Sequence, residues 1–223
     1  MVPLCILFAH HRNDAVTRHH LEILRQNNPD PIIPVCHGPA DPVEGAVDVS
    51  RFSKRFACDH PWMRGDAMLY LWFRHSRTVE AERYAYIEWD TLATMPLREY
   101  YQEVWDADAA GSQIKTPQTT PEWEWFKLHG PRLPERLKHF AMGIAPLNGV
   151  LLSRRSLKAV CNSQVPKNVF SELRLGSLLR FNRISVSPFE ATKATLNCWQ
   201  PVPMPLFAKC GLFHPVKTVL ELI

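Results

Sequence analysis

Several features are missing from this sequence, and each absence removes a class of protein. No apolar run approaches the roughly 20 residues a helix needs to cross a bilayer, so no membrane span is expected. The six cysteines, at positions 5, 36, 58, 161, 198 and 210, form no CxxC pair and show no metal-ligand spacing. Several sit inside apolar runs, so free thiols in a reducing cytoplasm are expected rather than disulfides. No GxGxxG or GxxxxGKS loop offers a glycine-rich cradle for phosphates. Internal repeats and low-complexity segments are absent. Strong charge of either sign is absent too: the formal net charge is +4, spread along the chain, with His10, His11, His19 and His20 able to add to it at lower pH. That balance suits an anionic small molecule better than a nucleic acid.

What is present reads as a globular domain. A chain of 223 residues, 46% hydrophobic and 22% charged, can bury a proper core without staples. The expectation is a single domain over 1–223, with an irregular loop-rich segment at about 112–145. Met1–Ala9 carries no basic leader and no convincing cleavage site, and reads as a first buried strand. Asn13-Asp14 then offers a cap to a helix that Asn27-Asn28-Pro29 stops, and Pro31–Cys36 reads as a second strand. This β-α-β unit predicts parallel pairing and an α/β layered fold, in which ligands gather beyond the carboxyl ends of the strands. Those ends are Ala9–Asn13 and His37-Gly38.

Further along, 46–49 is expected as a short strand, 61–76 as a helix with an aromatic inner face, 104–111 and 146–153 as strands, and 95–101 and 154–160 as helices. Ser171 is expected to cap a helix over 171–180, and 184–188 to form a last strand. Arg64, Asp66 and His75 either reach a ligand or are solvated or paired on the outer side of the 61–76 helix. Trp123, Trp125 and Phe126 either stack on a sugar ring or act as a lid, or else form a local cluster that pins the loop.

The stretch of most chemical interest is Tyr84–Leu92. Strand alternation would point Glu88 and Asp90 to one face, with Trp89 turned away. Two crowded carboxylates repel unless a cation or a proton lies between them, which suggests a hard divalent ion; two solvated acids closing a strand are the plainer alternative.

One ordered set of motifs resembles a known family. An N-terminal βαβ is followed by the acidic pair, by Gly149-Val-Leu-Leu-Ser-Arg154 before a helix, by Ser171-Glu-Leu-Arg-Leu-Gly176, and by Phe213-His-Pro-Val-Lys217. The set resembles the GT-A-fold glycosyltransferases, which transfer a sugar from a nucleotide-diphosphate-sugar donor to a hydroxyl acceptor. The resemblance implies a GT-A-like (Rossmann-like) α/β fold with a mixed, mostly parallel central sheet flanked by helices. It implies Mn²⁺ or Mg²⁺ held by Glu88-Trp89-Asp90 in the place of the family's DxD motif, with glutamate in place of the first aspartate. His214 becomes a further metal ligand and Glu172 the general base of an inverting reaction. Nucleotide and diphosphate contacts fall to His10, Arg12, His37 and Lys217. A metal-dependent phosphohydrolase or nucleotidyltransferase, or a sugar-nucleotide-binding protein without turnover, would use the same acidic pair differently.

Overall fold

The computed structural model describes residues 1–38, 41–52, 63, 65–189, 196–197 and 211–217. The helix-start signal at 59–61, Arg64, and Cys58, Cys198 and Cys210 lie outside these. In chain order the elements are β1 (Val2–His10), α1 (Ala15–Asn27), β2 (Ile32–Cys36), β3 (Val47–Asp48), α2 (Gly65–His75), β4 (Ala81–Glu88), β5 (Leu92–Ala93) and α3 (Leu97–Tyr100). The next are β6 (Ala109–Gly111), β7 (Gln113–Lys115), α4 (Glu124–His129), α5 (Glu135–Lys138), β8 (Gly143–Ala145) and β9 (Val150–Ser153). Last come α6 (Arg154–Asn162), α7 (Ser171–Phe181), β10 (Val186–Pro188), β11 (Leu196–Asn197) and β12 (Leu212–His214).

Seven strands form the main sheet in the order β10-β6-β9-β4-β1-β2-β3. β9 runs antiparallel to both β4 and β6, and the other pairings are parallel. The fold is therefore mixed α/β with a mostly parallel sheet, as expected. Its core follows from strand alternation. Cys5, Leu7, Tyr84, Tyr86, Val150 and Leu152 pack on one face with α2, α6 and α7, while Leu4, Ile6, Phe8, Ala85, Ile87 and Leu151 pack on the other with α1 and α3. A strand covered on both sides reads as a continuous apolar run, and β1 is buried from Leu4 to His10.

α1 starts where its cap predicts: the Asp14 carboxylate accepts the Thr17 N–H at 2.9 Å. At its far end the Asn28 side chain donates to the Leu24 carbonyl and accepts the Leu97 N–H, tying α1 to α3. Cys5, Cys36 and Cys161 are buried free thiols.

Several expected boundaries are corrected. β4 ends at Glu88, and Asp90 sits in a turn closed by the Thr91 N–H on the Glu88 carbonyl at 3.0 Å, so strand alternation does not aim this pair. Within 104–111 only Ala109–Gly111 is strand, because Tyr101–Ala107 folds into successive turns. Leu147–Gly149 is likewise a turn, with Gly149 at φ +76°, and the strand begins at Val150. Ser171 is the first residue of α7 rather than its cap. The segment 112–145 is not irregular throughout: β7 pairs antiparallel with β8, and α4 and α5 lie between them. Among the described residues no helix is long and apolar enough to cross a membrane.

Candidate metal centre and adjoining cavity

Three polar side chains from three separate elements meet at one end of the main sheet. Glu88 closes β4 beside Ala9 of β1, Asp90 follows in the turn, and His214 ends β12. Antiparallel pairing of β12 with β5, Phe213 opposite Leu92, carries His214 to the acids, and the Val216 N–H donates to the Asp90 carbonyl at 2.7 Å. The His214 Nε2 lies 3.3 Å from Glu88 Oε2 and 3.4 Å from Asp90 Oδ1. One ligand atom from each residue falls within 4.8 Å of the other two.

Asn148, fully buried, supports this cluster. Its Oδ1 accepts the Glu88 N–H at 2.8 Å and the Thr91 hydroxyl at 2.9 Å, so one amide oxygen shapes the turn that presents both acids. The sequence reading passed over Asn148 by running a strand through it. The Asn-Gly dipeptide at 148–149 is the turn signal that would have exposed it.

Burial opposes a charge on His214, but its hydrogen bonds to Asp90 and Glu88, and their charges, more than offset this and push the imidazole up to about 9. At neutral pH the proton on His214 therefore sits between two carboxylates. A divalent cation coordinated by the same three groups would answer the same excess of negative charge. Two carboxylate oxygens and one imidazole nitrogen, with Asp90 and His214 buried and Glu88 half-buried, are a donor set that fits such an ion.

The cluster opens on a cavity of about 290 Å³. Trp125, Pro146, Leu147 and Phe170 form its apolar wall; Glu88, Ser171, Glu172 and His214 supply the polar groups. Trp125 stacks on Phe170 with ring centroids 4.0 Å apart and planes inclined by 28°. Glu172 is 1% exposed. Its Oε1 accepts the Leu147 N–H at 3.0 Å, and its Oε2 has no hydrogen-bond partner among the described residues. Burial, with the Glu88 charge adding to it, holds the Glu172 carboxyl well above the usual range, although the Leu147 N–H, His214 and Lys115 pull the other way.

No family model matches this chain, and no curated protein matches it. Among solved structures it is similar to an active-site mutant of LgtC, with 12% identity, a TM-score of 0.48 and coverage of 96% of this chain and 88% of that one. It is also similar to apo mouse xyloside xylosyltransferase 1, with 12% identity, a TM-score of 0.46 and 96% of each chain covered. A third similarity is to residues 1–349 of S. aureus TarS, with 10% identity, a TM-score of 0.47, and 86% of this chain against 59% of that one. At these values the likenesses carry no functional argument, which must come from the site itself.

The remaining expected site residues divide by location. His10, Arg12 and His37 gather at the carboxyl ends of β1 and β2, where the His37 N–H donates to the His10 carbonyl at 3.3 Å. His10 is fully buried with its Nδ1 2.9 Å from the Arg12 carbonyl, and burial pushes its imidazole down toward the neutral form. The Arg12 guanidinium lies 4.3 Å from the centroid of a Trp89 ring and 3.3 Å from the Asp14 carboxylate. His37 is half-buried, and Lys217 is exposed and does not line the cavity. Asp66 is corrected: far from lying on an outer helix face, it is fully buried and paired with Arg174. His75 is exposed and stacks on Phe52 at 4.3 Å. In the aromatic loop Trp123 and Phe126 meet edge to face and pack against the core, while Trp125 faces the cavity.

Proposed function

We propose that this protein is a metal-dependent glycosyltransferase that moves a sugar from a nucleotide-diphosphate donor to a hydroxyl acceptor with inversion at the anomeric carbon. The observation that carries the reading is the convergence of Glu88, Asp90 and His214 beside a cavity that is also lined by the buried Glu172. Glu88, Asp90 and His214 would hold a divalent cation, with the imidazole favouring Mn²⁺ over Mg²⁺, whose charge stabilises the departing diphosphate. Glu172 takes the proton of the acceptor hydroxyl as its oxygen bonds to the anomeric carbon and the sugar–phosphate bond breaks, leaving the nucleoside diphosphate as product. A carboxyl raised by burial is the stronger base once ionised, and the apolar wall keeps water from competing for the sugar. Trp125 offers a flat face to a ring in the cavity. Arg12 and His37, at the neighbouring strand ends, are assigned to the nucleotide, and exposed Lys217 to the outer phosphate by simple charge.

Calorimetry with UDP-, GDP- and CDP-sugars, with and without Mn²⁺, tests the reading. Metal-dependent binding of at least one donor is expected in the natural chain and a steep loss in Asp90→Ala. Glu172→Gln should keep donor binding and lose transfer, with product analysis of the natural chain finding an intact nucleoside diphosphate and a glycosylated acceptor. Release of inorganic phosphate or nucleoside monophosphate would instead place the reaction at phosphorus. Unchanged donor affinity in Asp90→Ala would remove the metal from the account.

A further inference from the structure

A second cavity, of about 300 Å³, adjoins the first and is lined by Gln113, Lys115, Trp123, Glu124 and Trp125. Trp125 belongs to both cavities. Gln113 and Lys115 alternate on β7 so that both face the second cavity, while Ile114 between them packs toward the core. Trp123 is pinned from behind. Its indole lies against Gly143 of β8, where an added Cβ would come within 2.2 Å of Cζ3, and Phe126 meets it edge to face at 4.9 Å. Trp125 is held by its stack on Phe170. Two indoles are thus preset, with an amide, an ammonium and a carboxylate around them.

That set of groups selects a ligand chemistry. An apolar molecule would strip water from Lys115 and Glu124 and give nothing in return. A phosphate would meet the Glu124 carboxylate. A polyhydroxylated ring satisfies every group: its C–H face lies on indole, and its hydroxyls both donate and accept among Gln113, Lys115 and Glu124.

We propose that the second cavity binds a sugar unit of the acceptor, next to the unit that is glycosylated in the first cavity, so that the acceptor is a glycan of at least two linked rings. The inference deepens the glycosyltransferase reading and rests on it for the word acceptor. The influence of the Lys115 charge on Glu172 agrees with how closely the two cavities adjoin.

The test uses the full chain with Mn²⁺ and a nucleoside diphosphate on an immobilised panel of mono-, di- and trisaccharides, followed by calorimetry on the glycans retained. At least one disaccharide should bind about tenfold more tightly than either of its component monosaccharides. Gln113→Ala and Lys115→Ala should each reduce its affinity to the monosaccharide level, and thermal melting of both variants checks that they fold. Equal affinity for mono- and disaccharides, a preference that persists in both variants, or a panel that retains nothing while donor binding is intact would overturn the proposal. Failure of metal-dependent donor binding in the natural chain is a separate result: it would sink the glycosyl-transfer reading, and a Lys115-dependent disaccharide preference would then define a glycan-binding site alone.

Discussion

Two groups of charges lie close to the cavity, and they are built in opposite ways. Asp66 and Arg174 are 0% and 1% exposed, and they satisfy one another. The guanidinium donates from Nε to Asp66 Oδ2 at 2.9 Å and from Nη2 to Asp66 Oδ1, and it reaches the carbonyls of Met63, Pro166 and Val169 as well. Charge is balanced and almost every donor is used. Glu88, Asp90 and His214 bring two acids to one imidazole, and Glu172 adds a carboxyl oxygen without a hydrogen-bond partner among the described residues. Under the proposed function, a divalent cation answers the excess of negative charge at the second group. The first group holds α7 to α2 and to the 166–170 segment; the second leaves room for a ligand.

The contrast is broken most severely by removing one partner of the sealed pair. Arg174→Met strands a buried carboxylate and should cost about 3–5 kcal/mol in urea denaturation, whereas pairing it with Asp66→Leu should recover much of the loss. A loss under 1 kcal/mol for the single variant would mean that water reaches Asp66. At the open group the expected effect is a gain. Mn²⁺ at a hundredfold excess over its dissociation constant should stabilise the natural chain by about 2.7 kcal/mol, and Asp90→Ala should abolish that shift in a melting experiment.

Titration probes the same group without a ligand. The folded His214 imidazole lies above its unfolded value of 6.5, so its contribution to stability is fully present below pH 6.5 and is lost as pH rises through about 9. Metal-free melting should fall across that window in the natural chain and stay flat for this group in His214→Asn. Because a cation needs the imidazole deprotonated, Mn²⁺ affinity should rise over the same interval. Asn148→Ala should cost about 1–3 kcal/mol by leaving the Glu88 N–H and the Thr91 hydroxyl without their acceptor, and should also weaken Mn²⁺ binding. Asp14→Ala should have the smallest effect, about 1 kcal/mol from a lost helix cap, with no change at the candidate metal centre.

Much of the architecture could be read from the chain. The apolar run of β1, the Asp14 cap and the stop at Asn27-Asn28-Pro29 are local signals, and each acts within a few residues of where it is written. Glu88 and Asp90 were legible as an acidic pair, but the reason offered, alternation along a strand, is not the one that operates, because a turn held by Asn148 presents them. The aromatic loop was legible only as a set of alternatives. Trp123 had to find Gly143, and Trp125 had to find Phe170, before the two indoles took their places as cavity walls.

By itself the sequence determined the alternation that buries the sheet on both faces, the cap and stop of α1, and the presence of two acids two residues apart. Only tertiary structure decided that His214 meets those acids, through the pairing of β12 with β5, and that Asp66 turns inward to an arginine 108 residues away. The physical reason is one of range. Helix caps and strand periodicity are set by dihedral preferences and neighbouring hydrogen bonds, whereas a buried charge takes whichever partner the packed elements bring to it, and distant strands choose that partner together.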